Sequence, residues 1–134
     1  MPNVELVGAV DDLEPYYLGA KAVIAPIFDG SGMKTKVAEA LMFGKRVVGT
    51  SEAFSGYEDV AARAGWQCDT KDEYIARIDR LAGQPIAPFD PAMRLIYEEN
   101  YSMDALRNWL RPIVQCASHR SEPACPVRSR GHCR

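Results

Sequence analysis

The feature that most constrains this chain is the run Ala22-Val23-Ile24-Ala25-Pro26-Ile27, followed by Phe28-Asp29-Gly30-Ser31-Gly32 and a helix-forming stretch from about Met33 to Phe43. An almost wholly apolar strand has no solvent face, so it belongs in a sheet covered by helices on both sides. The same strand–loop–helix alternation recurs along the body, which is the pattern of a parallel α/β sheet. Val4–Val10 reads as a first strand, and Asp11 to Pro15 as the start of a short helix with an acidic cap and a first-turn proline. Gly44 is placed to end the helix after the glycine loop in the left-handed conformation. Arg46–Thr50 reads as a third strand, Ser51–Tyr57 as a polar loop, Glu58–Arg63 as a short helix and Gly65–Asp69 as a short fourth strand. Lys71–Ala82 has helical periodicity with Tyr74, Ile75, Ile78 and Leu81 on one face. Gly83 to Pro88 break it. Helices near Asp90–Asn100 and Met103–Ala117 carry the core stripes Met93, Ile96, Tyr97 and Leu106, Trp109, Leu110, Ile113, and Trp66 is expected in the core too. The fold class is α/β, a Rossmann-like parallel sheet with flanking helices.

A chain of 134 residues fits one domain. No apolar run approaches the roughly 20 residues of a membrane span. The start Met1-Pro2-Asn3-Val4-Glu5 is neither basic nor apolar enough for a secretion signal, so a cytoplasmic location is expected. The formal charge of −2 is unevenly spread: from Ala117 onward there are four arginines and one glutamate, leaving 12 basic and 17 acidic groups before it. An acidic body excludes broad nucleic-acid binding, though not a local anion site. Residues 1–117 are expected to form the domain and 118–134 a disordered basic tail rich in Cys, Pro and Arg. Four cysteines, Cys68, Cys116, Cys125 and Cys133, raise a disulfide frame, and the last three with His119 and His132 raise a zinc site. Their spacing contains no C-x-x-C pair, and no metal is expected.

The chemistry concentrates on the glycine loop and the helix after it. A loop from the carboxyl end of a parallel strand into a helix is where α/β proteins place ligands, and a helix N-terminus attracts anions. Gly30 and Gly32 remove side chains where a phosphate or sugar would approach the backbone. Lys34 and Lys36 put positive charge in the same turn, which opposes the helix dipole unless an anion sits there. Glu39 follows Lys36 by three residues, so one helix face offers a cation and then a carboxylate suited to a ribose diol. Taken alone, Lys36 and Glu39 equally suit a solvated intrahelical ion pair worth about 0.3 kcal/mol.

The combination resembles a known family. It is carried by Val4–Val10, Asp12-Leu13 with Tyr16-Tyr17, Ala20–Pro26, Gly30-Ser31-Gly32-x-Lys34-x-Lys36-Val37-x-Glu39-Ala40-Leu41, Gly44-x-Arg46-Val47-Val48, and Gly56. On these the chain resembles the donor-binding half of the GT-B glycosyltransferases, the group-1-like, mostly retaining class that uses nucleotide-sugars. The resemblance implies that Glu39 holds the donor ribose, and that Lys36, Lys34 and the amides of Gly30, Ser31 and Gly32 face the diphosphate and sugar. It assigns the chemistry to Lys36 and Glu39, and the nucleobase loop to the stretch holding Gly8, Val10 and Asp12. Many members carry a second glutamate eight residues before this one, where Ser31 stands here. The nucleotide-sugar is a substrate, and no cofactor is implied. The resemblance runs to about Leu110 and covers the last third of such an enzyme. It therefore implies a separate acceptor-binding N-terminal domain, an incomplete sheet, self-association through exposed strands and no turnover by the isolated chain. It leaves open a peripheral membrane association of the full enzyme.

Two other classes compete. One is a non-catalytic nucleotide or nucleotide-sugar module, including a truncated remnant. The other is a dinucleotide oxidoreductase or epimerase, which needs Gly-x-Gly-x-x-Gly after the first strand; Asp11-Asp12-Leu13-Glu14-Pro15 stands there instead.

Overall fold

Three apolar segments, each followed by a helix, fold into one parallel sheet between helical layers. The computed structural model describes residues 4–30, 32–86 and 89–118. In chain order its elements are α1 (Glu14–Gly19), β1 (Val23–Ala25), α2 (Thr35–Met42), β2 (Val47–Gly49), α3 (Ala61–Ala64), β3 (Gly65–Gln67), α4 (Lys71–Ala82), α5 (Pro91–Asn100) and α6 (Met103–Ser118). The strands lie in the order β1-β2-β3, with Val23 opposite Val47 and Val47 opposite Gly65.

Alternation along β2 sends Val47 to one face and Val48 to the other. Both crossovers step the same way across the sheet, and parallel crossovers share one hand, so α2 and α3 cover the same face. There Val47 packs with Val37, Ala40 and Leu41 of α2, Phe54 and Tyr57 of the following loop, and Met93 and Ile96 of α5. On the opposite face Val48 packs with Cys68 and with Tyr74 and Leu81 of α4. Gly65 is required by the sheet itself, since a Cβ there would lie 1.8 Å from the Val47 carbonyl oxygen.

Gly44 does end α2 with a left-handed φ of +66°. A Cβ on it would meet the Phe89 ring at 2.7 Å and the Asp90 nitrogen at 2.8 Å. That closeness lets the Asp90 amide donate to the Gly44 carbonyl at 3.0 Å, while Arg94 Nη1 donates to the Met42 carbonyl at 2.9 Å. The end of α2 is thus tied to the start of α5. Helix α4 starts on a full capping box between Thr70 and Glu73.

Several expectations need correction. Val4–Val10 forms no strand, and Leu6 is 95% exposed. A strand requires a ladder partner; β1 and β3 are the sheet edges, and this segment pairs with neither. Ile75 and Ile78 are exposed, because α4 seats on a sheet only three strands wide through the narrower Tyr74–Leu81 line. Leu106, Trp109, Leu110 and Ile113 are exposed as well, since α6 packs beside α5 rather than on the sheet. Met93, Ile96 and Tyr74 are buried, with Tyr97 and Trp66 packed half-buried against the two cores. The segment after Ser118, with His119, Cys125, His132 and Cys133, lies outside the described residues. Among the described residues, no helix is long and apolar enough to cross a membrane.

Candidate functional site

The chain leaves the carboxyl end of β1 into the glycine loop, where Gly30 (φ +142°) and Gly32 (φ +83°) occupy conformations that side chains disfavour. Ser31 lies outside the described residues. The loop ends at Lys34, which sits at the N-cap of α2 in an extended conformation and supplies no side-chain cap. The Val37 amide donates back to the Lys34 carbonyl at 3.1 Å, while the amides before it have no acceptor within the helix, so this end keeps donor capacity and a partial positive charge.

The two lysines behave differently. Lys34 turns back on its own loop: Nζ donates to the Gly30 carbonyl at 2.9 Å and pairs with Glu52 at 3.0 Å, and the side chain is only 10% exposed. Its charge is largely used in holding the loop closed. Lys36 is exposed and forms no hydrogen bond or ion pair among the described residues. The intrahelical Lys36–Glu39 pair is therefore not formed.

Glu39 is half-buried and engaged from another direction. Tyr17 Oη of α1 donates to Glu39 Oε2 at 3.0 Å, and the Tyr17 ring stacks on Phe43 with centroids 4.7 Å apart. Burial, then the hydrogen bond to Glu39 and its negative charge, push the Tyr17 pKa up to about 12. The phenol stays protonated and keeps one carboxylate oxygen in place, while the carboxylate retains acceptor capacity for further hydroxyls.

The loop after β2 supports the glycine loop from beneath. The buried Thr50 hydroxyl donates to the Ile27 carbonyl and accepts from the Ala53 amide at 3.0 Å. Tyr57 Oη donates to the Lys34 carbonyl at 2.8 Å, and a Cβ on Gly56 (φ +85°) would stand 3.2 Å from Met33. Further along, the Ser51 amide donates to Asp69 Oδ1 at 2.6 Å, and this bond with that from Gln67 holds the Asp69 carboxyl below its usual range. The carboxyl ends of all three strands are thereby fastened to one another. Beside Met33 opens a cleft of about 670 Å³ lined by Tyr101, Leu106 and Trp109, with Glu99, Asn100 and Ser102.

Gly8 (φ +81°), Val10 and Asp12 lie in the segment without regular structure before α1. Asp12 Oδ1 accepts from the Glu14 amide at 2.9 Å, which fixes this side chain at the turn leading into α1. It is Tyr17 of that helix that reaches Glu39.

Sequence reasoning thus places Gly30, Gly32, Lys34, Lys36 and Glu39 in one loop–helix unit, and the structure brings in Tyr17, Thr50, Glu52 and Tyr57. Glu52 and Tyr57 sit in a polar loop with no periodicity, so nothing local marks them. Among the described residues, no group of His, Cys, Asp and Glu is placed to hold a metal ion. The arrangement can take an anion at the start of α2 and hydroxyl groups at Glu39, one turn deeper.

A family model described as "Glycosyl transferases group 1" matches residues 1–84, a span that takes in the whole sheet, α1 to α4 and the glycine loop. No curated protein and no solved structure matches.

Proposed function

The chain belongs to the group 1 glycosyl transferases, and from that premise we propose that the glycine loop and α2 form a donor site for a nucleoside-diphosphate sugar. The supporting observation is the uncapped start of α2 with an unengaged Lys36, one turn before a Glu39 already oriented by Tyr17. In this reading the diphosphate lies against the Gly30–Gly32 amides and the first turn of α2. As the bond between sugar and diphosphate breaks, charge gathers on the leaving diphosphate, and the helix amides and Lys36 stabilise it. Glu39 accepts from the ribose diol. Lys34 shapes the loop rather than meeting the ligand with its full charge. The sugar passes to an acceptor with its anomeric configuration retained, in a GT-B arrangement where a separate domain presents the acceptor. No cofactor is invoked, because the donor is itself the substrate.

Calorimetric titration with UDP, GDP, ADP and pyrophosphate tests the assignment. Lys36→Ala is expected to weaken both pyrophosphate and the best nucleotide by on the order of tenfold, the worth of a charge-assisted hydrogen bond. Glu39→Ala is expected to weaken the nucleotide similarly and leave pyrophosphate unchanged, because a carboxylate serving the ribose does not touch the phosphates. If neither variant weakens the best nucleotide, the site lies elsewhere.

A further inference from the structure

A nucleoside-diphosphate sugar carries hydroxyl groups on both sides of its diphosphate, those of the ribose and those of the sugar. Hydroxyls are recognised by fixed acceptors, and one carboxylate can accept from two neighbouring hydroxyls. The donor reading gives Glu39 to the ribose and leaves the sugar without an acceptor.

Glu52, in the loop after β2, has the geometry for that task. Its Oε1 pairs at 3.0 Å with Lys34 Nζ, which donates in turn to the Gly30 carbonyl at 2.9 Å, so the carboxylate stands against the glycine loop. Its second oxygen accepts from no group among the described residues, and the side chain stays 34% exposed. The backbone beneath it is fixed. Thr50, Ala53 and Phe54 are buried, the Ala53 amide donates to the Thr50 hydroxyl at 3.0 Å, and the Ser55 amide donates to the Glu52 carbonyl at 3.1 Å. Glu39 is held from α1, which leads into β1, whereas Glu52 arrives from the loop that leaves β2. The two carboxylates therefore border the start of α2 from different elements.

An unpaired acid here would repel a diphosphate, but Lys34 neutralises Glu52 at contact distance. A partly exposed ion pair contributes little to stability, so holding the loop does not by itself account for a carboxylate at this place. Asp29 is the rival acceptor, exposed in the glycine loop and without a partner among the described residues. Ordering it around a sugar would cost side-chain freedom that Glu52 has already given up to Lys34.

We infer that Glu52 is a specificity-determining residue of the donor site, accepting from hydroxyls of the transferred sugar through the oxygen that Lys34 leaves open. The inference rests on the donor reading and adds to it the residue that reads the sugar.

Calorimetric titration of the full chain with UDP and UDP-glucose, GDP and GDP-mannose, and ADP and ADP-glucose tests it on whichever pair binds best. Glu52→Gln is expected to weaken the nucleotide-sugar by on the order of tenfold and to leave the parent diphosphate unchanged. Asp29→Asn should alter neither. Deoxy derivatives of the same nucleotide-sugar give a second measurement that needs no variant: loss of one sugar hydroxyl should weaken wild-type binding to the same extent, and should weaken Glu52→Gln no further. The inference is overturned if Glu52→Gln weakens both ligands alike, since Glu52 would then act only by holding the loop through Lys34. It is overturned too if neither ligand changes, if no deoxy derivative binds more weakly to the wild type, or if the sugar-selective loss appears in Asp29→Asn instead. Nucleotide binding that depends on Lys36 and Glu39 but not on Glu52 sinks this inference alone, whereas no nucleotide binding by the wild type sinks the donor reading with it.

Discussion

Tyr17 and Glu39 show how a single hydrogen bond couples a helix that precedes the sheet to one that follows its first strand. The folded protein holds the Tyr17 proton up to about pH 12, while an unperturbed tyrosine releases it near 10.0. Stability from this proton is therefore complete below the unfolded value and is lost as pH rises through the folded one. Tyr17→Phe should flatten the alkaline fall in melting temperature between those two values, as followed by circular dichroism. At neutral pH it should cost about 1 kcal/mol, the net worth of one hydrogen bond. Lys34 and Lys36 teach a related lesson. Both were legible as cations in a glycine loop, but which of them a ligand could reach depended on Glu52, and no spacing rule links these residues. Ion pairs between loops are made by the fold, so they are hidden until the strands are side by side.

At the scale of elements, two glycines that look alike in sequence should respond in opposite ways. Gly44→Ala forces a side chain into a left-handed backbone and against Phe89 and Asp90, and should destabilise by about 2–3 kcal/mol. Gly83 has an ordinary φ of −77° and no close neighbour short of 4.0 Å, so Gly83→Ala should be neutral or stabilise by up to about 1 kcal/mol. Thermal melts of the pair check both. For α4, Thr70→Ala should cost about 1 kcal/mol. The amides of Asp69 and Thr70 hold the Glu73 carboxyl below its usual range, so its contribution is present above the unfolded carboxylate pKa and is lost as pH falls through the lowered value. An acid melt of Glu73→Gln should lack that component.

The elements that sequence reasoning located well, α2, β2, α4 and α5, are those with a plain local signal: a glycine stop at Gly44, an apolar run at Val47-Val48, and apolar stripes at helical spacing through Tyr74 and Leu81 and through Met93 and Ile96. Val4–Val10 has equally good strand chemistry, yet a strand is defined by its neighbour, which a linear pattern does not contain. The apolar stripe of α6 was legible too; that it faces outward was not, because periodicity shows a face without saying what it meets.

Across the whole molecule, the three-stranded sheet ends in an edge strand on each side, β1 and β3. At the β1 edge Ile24 is 48% exposed, and Val4, Leu6 and Val7 of the N-terminal segment are exposed too. An apolar edge strand favours pairing between copies. Size-exclusion chromatography is expected to show association that grows with concentration, and Ile24→Lys should reduce it by placing a charge at the edge. Substitutions in α6 should leave this association unchanged, since they alter a different surface.

The central position of β2 has a consequence in time. Val47, Val48 and Gly49 are flanked by a strand on each side and wholly covered above and below. Their amides have no local route to solvent, so deuterium should replace their protons only when the entire domain opens. At the edge, the amides of β1 need no more than a local fluctuation. Exchange rates read along the sheet would then run from slow to fast in space, and the slowest of them would report the stability of the domain itself.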